Sequence, residues 1–399
     1  MWRTVEGIGI ERKPEDCPFR RVNDIVTEID EKDDRFMGAV APPIYENSIY
    51  RLPDFATAKL LNKGEVDRYM YGKNANPTTD ALAHKLALLE GGEAAQCYSS
   101  GTAAIFTALM ASLKHGGHIV VVANVYGRTS GFLKQLFHPL GVTTTYVDGT
   151  GLQAVKDAIR SDTKVIYLES PTSWQFELQP IQAIADLARK HNITTMIDNT
   201  WATPVFQNPI GLGVDLVIHS ASKYLGGHSD LVAGAIISSR ERIAQLPQLG
   251  AVLSPHESAK LMKGLRTLPI RMERHEKSAM KIADYLNRNA TIHEVRYPGL
   301  PDFSQYELAR QQMHGCSGLL SFELDTDLAG VERFINGLRH VSIGGSWGGF
   351  DSIIYTTAMS ANVEEKLLEG FIPTQCRLSV GLEHMDTLLE DLDQALRKV

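Results

Sequence analysis

Two residues at the ends of apolar runs carry the chemistry this sequence suggests. Lys223 stands in Ser220-Ala221-Ser222-Lys223-Tyr224, directly after residues 214–219, which read as a buried strand. A lysine at the mouth of a sheet loses hydration, its pKa falls, and its neutral amine becomes a nucleophile. Asp198 closes a second apolar run, residues 193–197, and is followed by Asn199-Thr200-Trp201. A lysine able to form a Schiff base and an aspartate able to hold a protonated ring nitrogen are the two protein groups that pyridoxal phosphate requires.

Other segments supply groups such a site needs. Ser100-Gly101-Thr102 opens a helical pattern at residues 103–114. Its glycine and first-turn amides suit a dianionic phosphate, although an ordinary capped helix start has the same spelling. Ser220 and Ser222 offer hydroxyls to the same phosphate. Tyr126, at the edge of an apolar run, can lie flat on a heteroaromatic ring. Tyr71 and Lys73 sit two apart in a polar loop, from which both can reach a phosphate. Arg377, inside the apolar stretch Cys376-Arg377-Leu378-Ser379-Val380-Gly381, needs a partner if buried. A substrate carboxylate and an internal salt bridge are the two candidates. Ser346-Trp347-Gly348-Gly349 reads either as a pocket wall or as a glycine turn.

These residues need a scaffold that brings strand ends together. Between about 80 and 240, strand-like runs at 118–123, 143–147, 164–168, 194–197 and 215–219 alternate with helical patterns. One pattern, 178–191, places Ile181, Ile184, Ala185 and Ala188 on one face, with Pro180 in the first turn. The alternation predicts an α/β fold with a mostly parallel sheet covered by helices on both faces. Ligands gather at the carboxyl ends of such strands, where Asp198 and Lys223 both fall. Residues 1–65 read as a polar N-terminal arm, charge-rich at 28–35, which a neighbouring subunit could receive. Residues 66–255 form the large domain and 256–399 a smaller C-terminal α/β domain. Within the latter, 260–287 predicts one long helix, 318–324 a strand, and 328–340 and 387–398 further helices.

The chain has 399 residues, more than one core usually serves. A hydrophobic content of 43%, a charged content of 22% and a net charge of -7 describe a soluble globule without a basic footprint for nucleic acid. The four cysteines show no CxxC and no disulfide framework, and the histidines no metal-ligand spacing, so no metal and a reducing compartment are expected. Residues 1–16 lack an apolar segment and no run reaches membrane-spanning length, which predicts a cytoplasmic protein.

The ordered segments Tyr71-Gly72-Lys73, Ser100-Gly101-Thr102, Tyr126, Glu169-Ser170-Pro171, Asp198-Asn199-Thr200, Ser222-Lys223-Tyr224, Gly264-Leu265-Arg266-Thr267-Leu268 and Arg377-Leu378-Ser379-Val380-Gly381 resemble the cystathionine lyase and synthase family of pyridoxal-phosphate enzymes. The resemblance runs from about Gly38 to the end. It implies the type I, aspartate-aminotransferase-like fold and a homotetramer of two catalytic dimers. It implies Lys223 as covalent anchor and base, Asp198 as partner of the ring nitrogen, and Tyr126 as stacking residue. It further implies that Ser100, Gly101, Thr102, Ser220, Ser222, Tyr71 and Lys73 serve the phosphate, with Tyr71 also a proton carrier. Arg377, Ser346 and Trp347 would face the substrate. Trp201, Ser173 and Ser346-Trp347-Gly348-Gly349 look most like bacterial cystathionine β-lyase, which implies α,β-elimination to pyruvate, ammonia and a thiol. The alternative is γ-elimination or γ-replacement on cystathionine, methionine, an O-acylhomoserine or another γ-substituted amino acid such as canavanine. Lys73 departs from the family, which has arginine there, and keeps the charge without the fork. Arg128, close to Tyr126, is a second position without a match.

Overall fold

The computed structural model describes residues 3–5, 8–12, 18–27, 39–113, 115–359 and 372–399. The charge-rich 28–35 segment and Cys17 lie outside them.

A short hairpin, β1 (Arg3–Val5) and β2 (Ile8–Arg12), precedes two larger sheets. The first has seven strands: β3 (Ala94–Tyr98), β4 (Gly117–Val122), β5 (Val142–Val147), β6 (Thr163–Glu169), β7 (Thr194–Asp198), β8 (Leu216–His219) and β9 (Gly234–Ser238). Their spatial order is β3-β9-β8-β7-β6-β4-β5. Only β9 runs against the rest. The central strands carry Val, Ile and Leu on both faces, because helices cover both.

The second sheet orders β10 (Ile292–Arg296), β11 (Leu319–Leu324), β12 (Ser342–Ile343), β13 (Ile353–Thr356) and β14 (Gln375–Ser379) as β10-β11-β14-β13-β12. It is antiparallel except for β12 and β13. The expected α/β class, with a mostly parallel sheet and a smaller second sheet, is therefore observed.

Several local readings need correction. The 260–287 stretch is two helices, Pro255–Arg266 and Leu268–Asn287, which meet at Thr267. Pro269 in the first turn of the second helix cannot donate to the preceding turn, so the axis breaks there. Pro180 caps its helix, Ile181–Lys190, from outside. The strands β3 and β9 were not foreseen. Within the supposed arm, helix Pro18–Thr27 buries Val22 and Val26 in the main core. Arg21 donates to Leu88 O and Leu89 O, and Lys85 Nζ donates to Ile25 O at 2.8 Å. By contrast helix Phe55–Asn62 buries nothing within this chain.

Candidate active site

The carboxyl ends of β6, β7 and β8 open into one cavity. Ser100, Gly101, Thr102, Tyr126, Glu169, Ser173, Asp198, Thr200, Trp201, Ser220, Ser222, Lys223, Trp347 and Arg377 all line it. The strands deliver Asp198 and, one turn after β8, Lys223. Ser220 N–H donates to Thr200 Oγ1 at 2.8 Å, which ties the turn carrying Lys223 to the end of β7. Arg271, itself buried, donates to Tyr224 O at 2.7 Å and Gly264 O at 2.9 Å, and so clamps the turn from the other side. Gly227 has φ 69°, and a Cβ there would stand 1.9 Å from Arg271 Nη1, so only glycine admits this clamp.

Lys223 Nζ donates to Ser346 Oγ and lies 5.5 Å from the centroid of Trp347. Burial first, then the charge of Arg377, lower its pKa to about 8, against the pull of Asp198. Asp198 is buried, and burial raises its pKa although Thr200 holds it back through its hydroxyl and its N–H. Both Thr200 bonds go to Oδ1. Oδ2 carries no hydrogen bond among the described residues.

Glu169, opposite Asp198 in the β6–β7 register, accepts from Tyr126 N–H at 2.7 Å and Ser173 N–H at 2.9 Å. Burial and then the neighbouring Asp198 push it up to about 8.

Helix Gly101–Leu113 starts at the cavity wall, where first-turn amides lack intrahelical acceptors. Ser100 Oγ accepts from Ala103 N–H at 3.1 Å, so this serine does cap the helix. A Cβ on Gly101 would fall 2.7 Å from Ser220 Cβ, so glycine is what lets the helix start approach the Lys223 turn. Ser222 Oγ accepts from Ala233 N–H at 2.9 Å, which fixes this hydroxyl at the cavity.

Arg377 comes from the second sheet. It is buried, and burial lowers its pKa to about 10. Its Nη1 donates to Ser173 O at 3.2 Å. No carboxylate lies within ion-pair distance of it among the described residues, so the internal salt bridge weighed from the sequence is not formed there.

Tyr71 and Lys73 do not join this cavity within one chain. Tyr71 is exposed and bridges to Ile49, while Lys73 borders a separate hollow with Gln96 and Tyr98. Glu169, Thr200 and Arg271 gain their importance here without having been singled out for it. A carboxylate ending the apolar run of β6 and the segment Glu169-Ser170-Pro171 were the available signals for Glu169.

The donor set fits a flat, phosphorylated pyridine aldehyde. It has an uncommitted carboxylate oxygen for the ring nitrogen, an amine for the aldehyde, and hydroxyls with a helix start for the phosphate. Among the described residues no cluster of His, Cys, Asp and Glu could hold a metal, and no helix is long and apolar enough to cross a membrane. Cys97, Cys316 and Cys376 are buried, and no disulfide joins them.

Comparison with known proteins agrees with this arrangement. The family described as Cys/Met metabolism PLP-dependent enzyme matches residues 24–397. An L-methionine gamma-lyase of Pseudomonas putida is 40% identical over 90% of this chain and 93% of its own. A cystathionine beta-lyase of Lactococcus lactis subsp. cremoris is 38% identical, over 92% and 96%. A cystathionine gamma-lyase of Bacillus subtilis is 37% identical, over 92% and 96%.

Proposed function

Because the chain belongs to the Cys/Met metabolism PLP-dependent enzyme family, we propose that the Lys223 cavity is the catalytic site of a carbon–sulfur lyase acting on a sulfur-containing α-amino acid. One observation carries the reading. An amine of lowered pKa, a carboxylate with an uncommitted oxygen and a guanidinium without a carboxylate partner all face one cavity.

Pyridoxal phosphate, when bound, supplies a sink for the electrons left at Cα. The chain does the rest. Asp198 Oδ2 holds the proton on the ring nitrogen. Lys223 would anchor the cofactor and, as a free amine, take the Cα proton, and burial lowers the pKa of that amine to about 8 in the cofactor-free chain. Ser346 holds its Nζ toward the cavity. Tyr126, which is exposed, would cover the ring face and relay to solvent the proton that the incoming amino group loses. Arg377 grips the α-carboxylate with two parallel N–H bonds and so orients Cα. Ser100, Gly101, Thr102, Ser220 and Ser222 take the phosphate.

The first reading of the reaction is α,β-elimination. The Cβ–S bond of cystathionine breaks, its electron pair leaves on the thiolate, and water then releases pyruvate and ammonia. The second reading is γ-elimination or γ-replacement, and the two relatives named as γ-lyases favour its elimination branch. Product analysis with cystathionine decides between them. Pyruvate with homocysteine is expected, and 2-oxobutyrate with cysteine establishes the second reading. Absence of turnover points to methionine, O-acylhomoserines or canavanine.

A second copy of the chain completes the site in this proposal. Tyr71 and Lys73 lie outside their own chain's cavity, on a segment that leaves Ile49 and Phe55 exposed. From there they serve the phosphate in the neighbouring subunit of a homotetramer. We place the enzyme in the cytoplasm.

A further inference from the structure

Trp174 is a large aromatic residue on the loop after β6, and the reaction described above leaves it without a task. Its indole stacks on Arg377, with Cζ 4.6 Å from the ring centroid. Arg377 in β14 lies opposite Ser321 in β11 and Tyr355 in β13. The loop is fastened to this patch through its backbone. Ser173 O accepts from Arg377 Nη1 at 3.2 Å. Trp174 O accepts from Ser321 Oγ at 2.9 Å and from Gln375 Nε2 at 3.2 Å. Tyr355 meets the indole edge-on at a centroid separation of 6.2 Å. Further along, Phe176 has φ 57° and is wholly buried against Trp201. Main-chain bonds and the Phe176 anchor therefore set the position of the loop.

Arg377 is a buried cation whose guanidinium makes one hydrogen bond among the described residues, the one to Ser173 O. An aromatic ring laid on one face of a guanidinium stabilises the charge and stops rotation of its plane. It leaves the in-plane N–H edge open, the edge that a planar carboxylate uses.

We infer that Trp174 is a positioning residue that fixes the plane of Arg377 and thereby restricts the site to amino acids with a free α-carboxylate, against their amides and esters. The inference rests on the reading of Arg377 as the carboxylate grip.

The test uses the holoenzyme and the absorbance change of its bound cofactor during titration with glycine and, separately, with glycinamide. Trp174→Ala is expected to raise the glycine dissociation constant about tenfold, the scale of a lost desolvated cation–π contact, and to leave that of glycinamide unchanged. Trp174→Phe, which keeps a weaker aromatic face, should fall between. An equal shift for both ligands, or a shift for neither, overturns the inference. Arg377→Lys tests the underlying reading separately. Loss of the preference for glycine over glycinamide supports it, and a retained preference overturns that reading and the inference with it.

Discussion

Burial governs the protonation of the groups around Asp198, and it acts on them in opposite senses. It lowers Lys223 to about 8 and raises Glu169 to about 8, on adjacent sides of one cavity. The folded value of Glu169 lies above the ordinary glutamate value of about 4.3. Protonation of this group therefore favours the folded chain, a contribution complete below the ordinary value and lost as pH rises through about 8. Glu169→Gln has nothing to titrate there. In cofactor-free protein, the unfolding midpoint of the variant relative to the parent should climb by a few degrees between about pH 5 and about pH 8 and then level off. The lost acceptor for Tyr126 or Ser173 adds only a pH-independent offset, so a difference that stays constant across this range contradicts the assignment. Lys223, Asp198 and Arg377 were legible in the sequence because a charged residue at the end of, or within, an apolar run demands an explanation. Trp174 and Arg271 were not, since an aromatic in a loop and an arginine in a helix are ordinary until their neighbours are known.

At the scale of elements, the site depends on a close crossing that periodicity does not reveal. The strand β9 passes under the start of helix Gly101–Leu113, and a Cβ on Gly234 would lie 2.2 Å from Ser100 O and 2.8 Å from Gly101 N. Gly234→Ala must push that helix start away, at a cost of about 1–3 kcal/mol. Cofactor affinity, read by fluorescence titration of the apoprotein, should fall about tenfold or more on this scale. Gly151→Ala, where a Cβ meets open space, should leave it unchanged. Equal affinities in the two variants would contradict this account of the cradle. The strands β4, β6 and β8 were readable because buried central strands are continuous apolar runs rich in Val and Ile, and β5 and β7 because β-branched residues dominate them. The strands β3 and β9 escaped because Ala94-Ala95-Gln96-Cys97-Tyr98 and Gly234-Ala235-Ile236-Ile237-Ser238 are short and rich in small residues. The break at Thr267 escaped because helical patterning continues on both sides, with Pro269 as its only mark. Helix Pro18–Thr27 had a signal, Val22 and Val26 one turn apart, hidden among charges.

At the scale of the whole molecule, the single chain leaves apolar side chains in water along one segment. Val40, Ile49 and Phe55 are 69%, 68% and 85% exposed, and Tyr71 and Lys73 follow shortly after. Exposed apolar side chains gathered in one segment suit the shared site proposed above. If the site is shared between copies, Lys73→Ala and Lys223→Ala damage different halves of it. Each variant alone should be nearly inactive, and a refolded mixture should recover part of the activity through pairs that carry one intact site. A mixture no more active than its components would place Lys73 outside the site. This level was the least legible in the sequence, because polar and apolar residues alternate in the segment.

The account as a whole turns on where the cofactor is attached. Holoenzyme reduced with borohydride and then digested should yield one peptide bearing a pyridoxyl group, with the modification on Lys223. A pyridoxyl group on another lysine, or no modified peptide from protein that retains bound cofactor, would contradict the central claim.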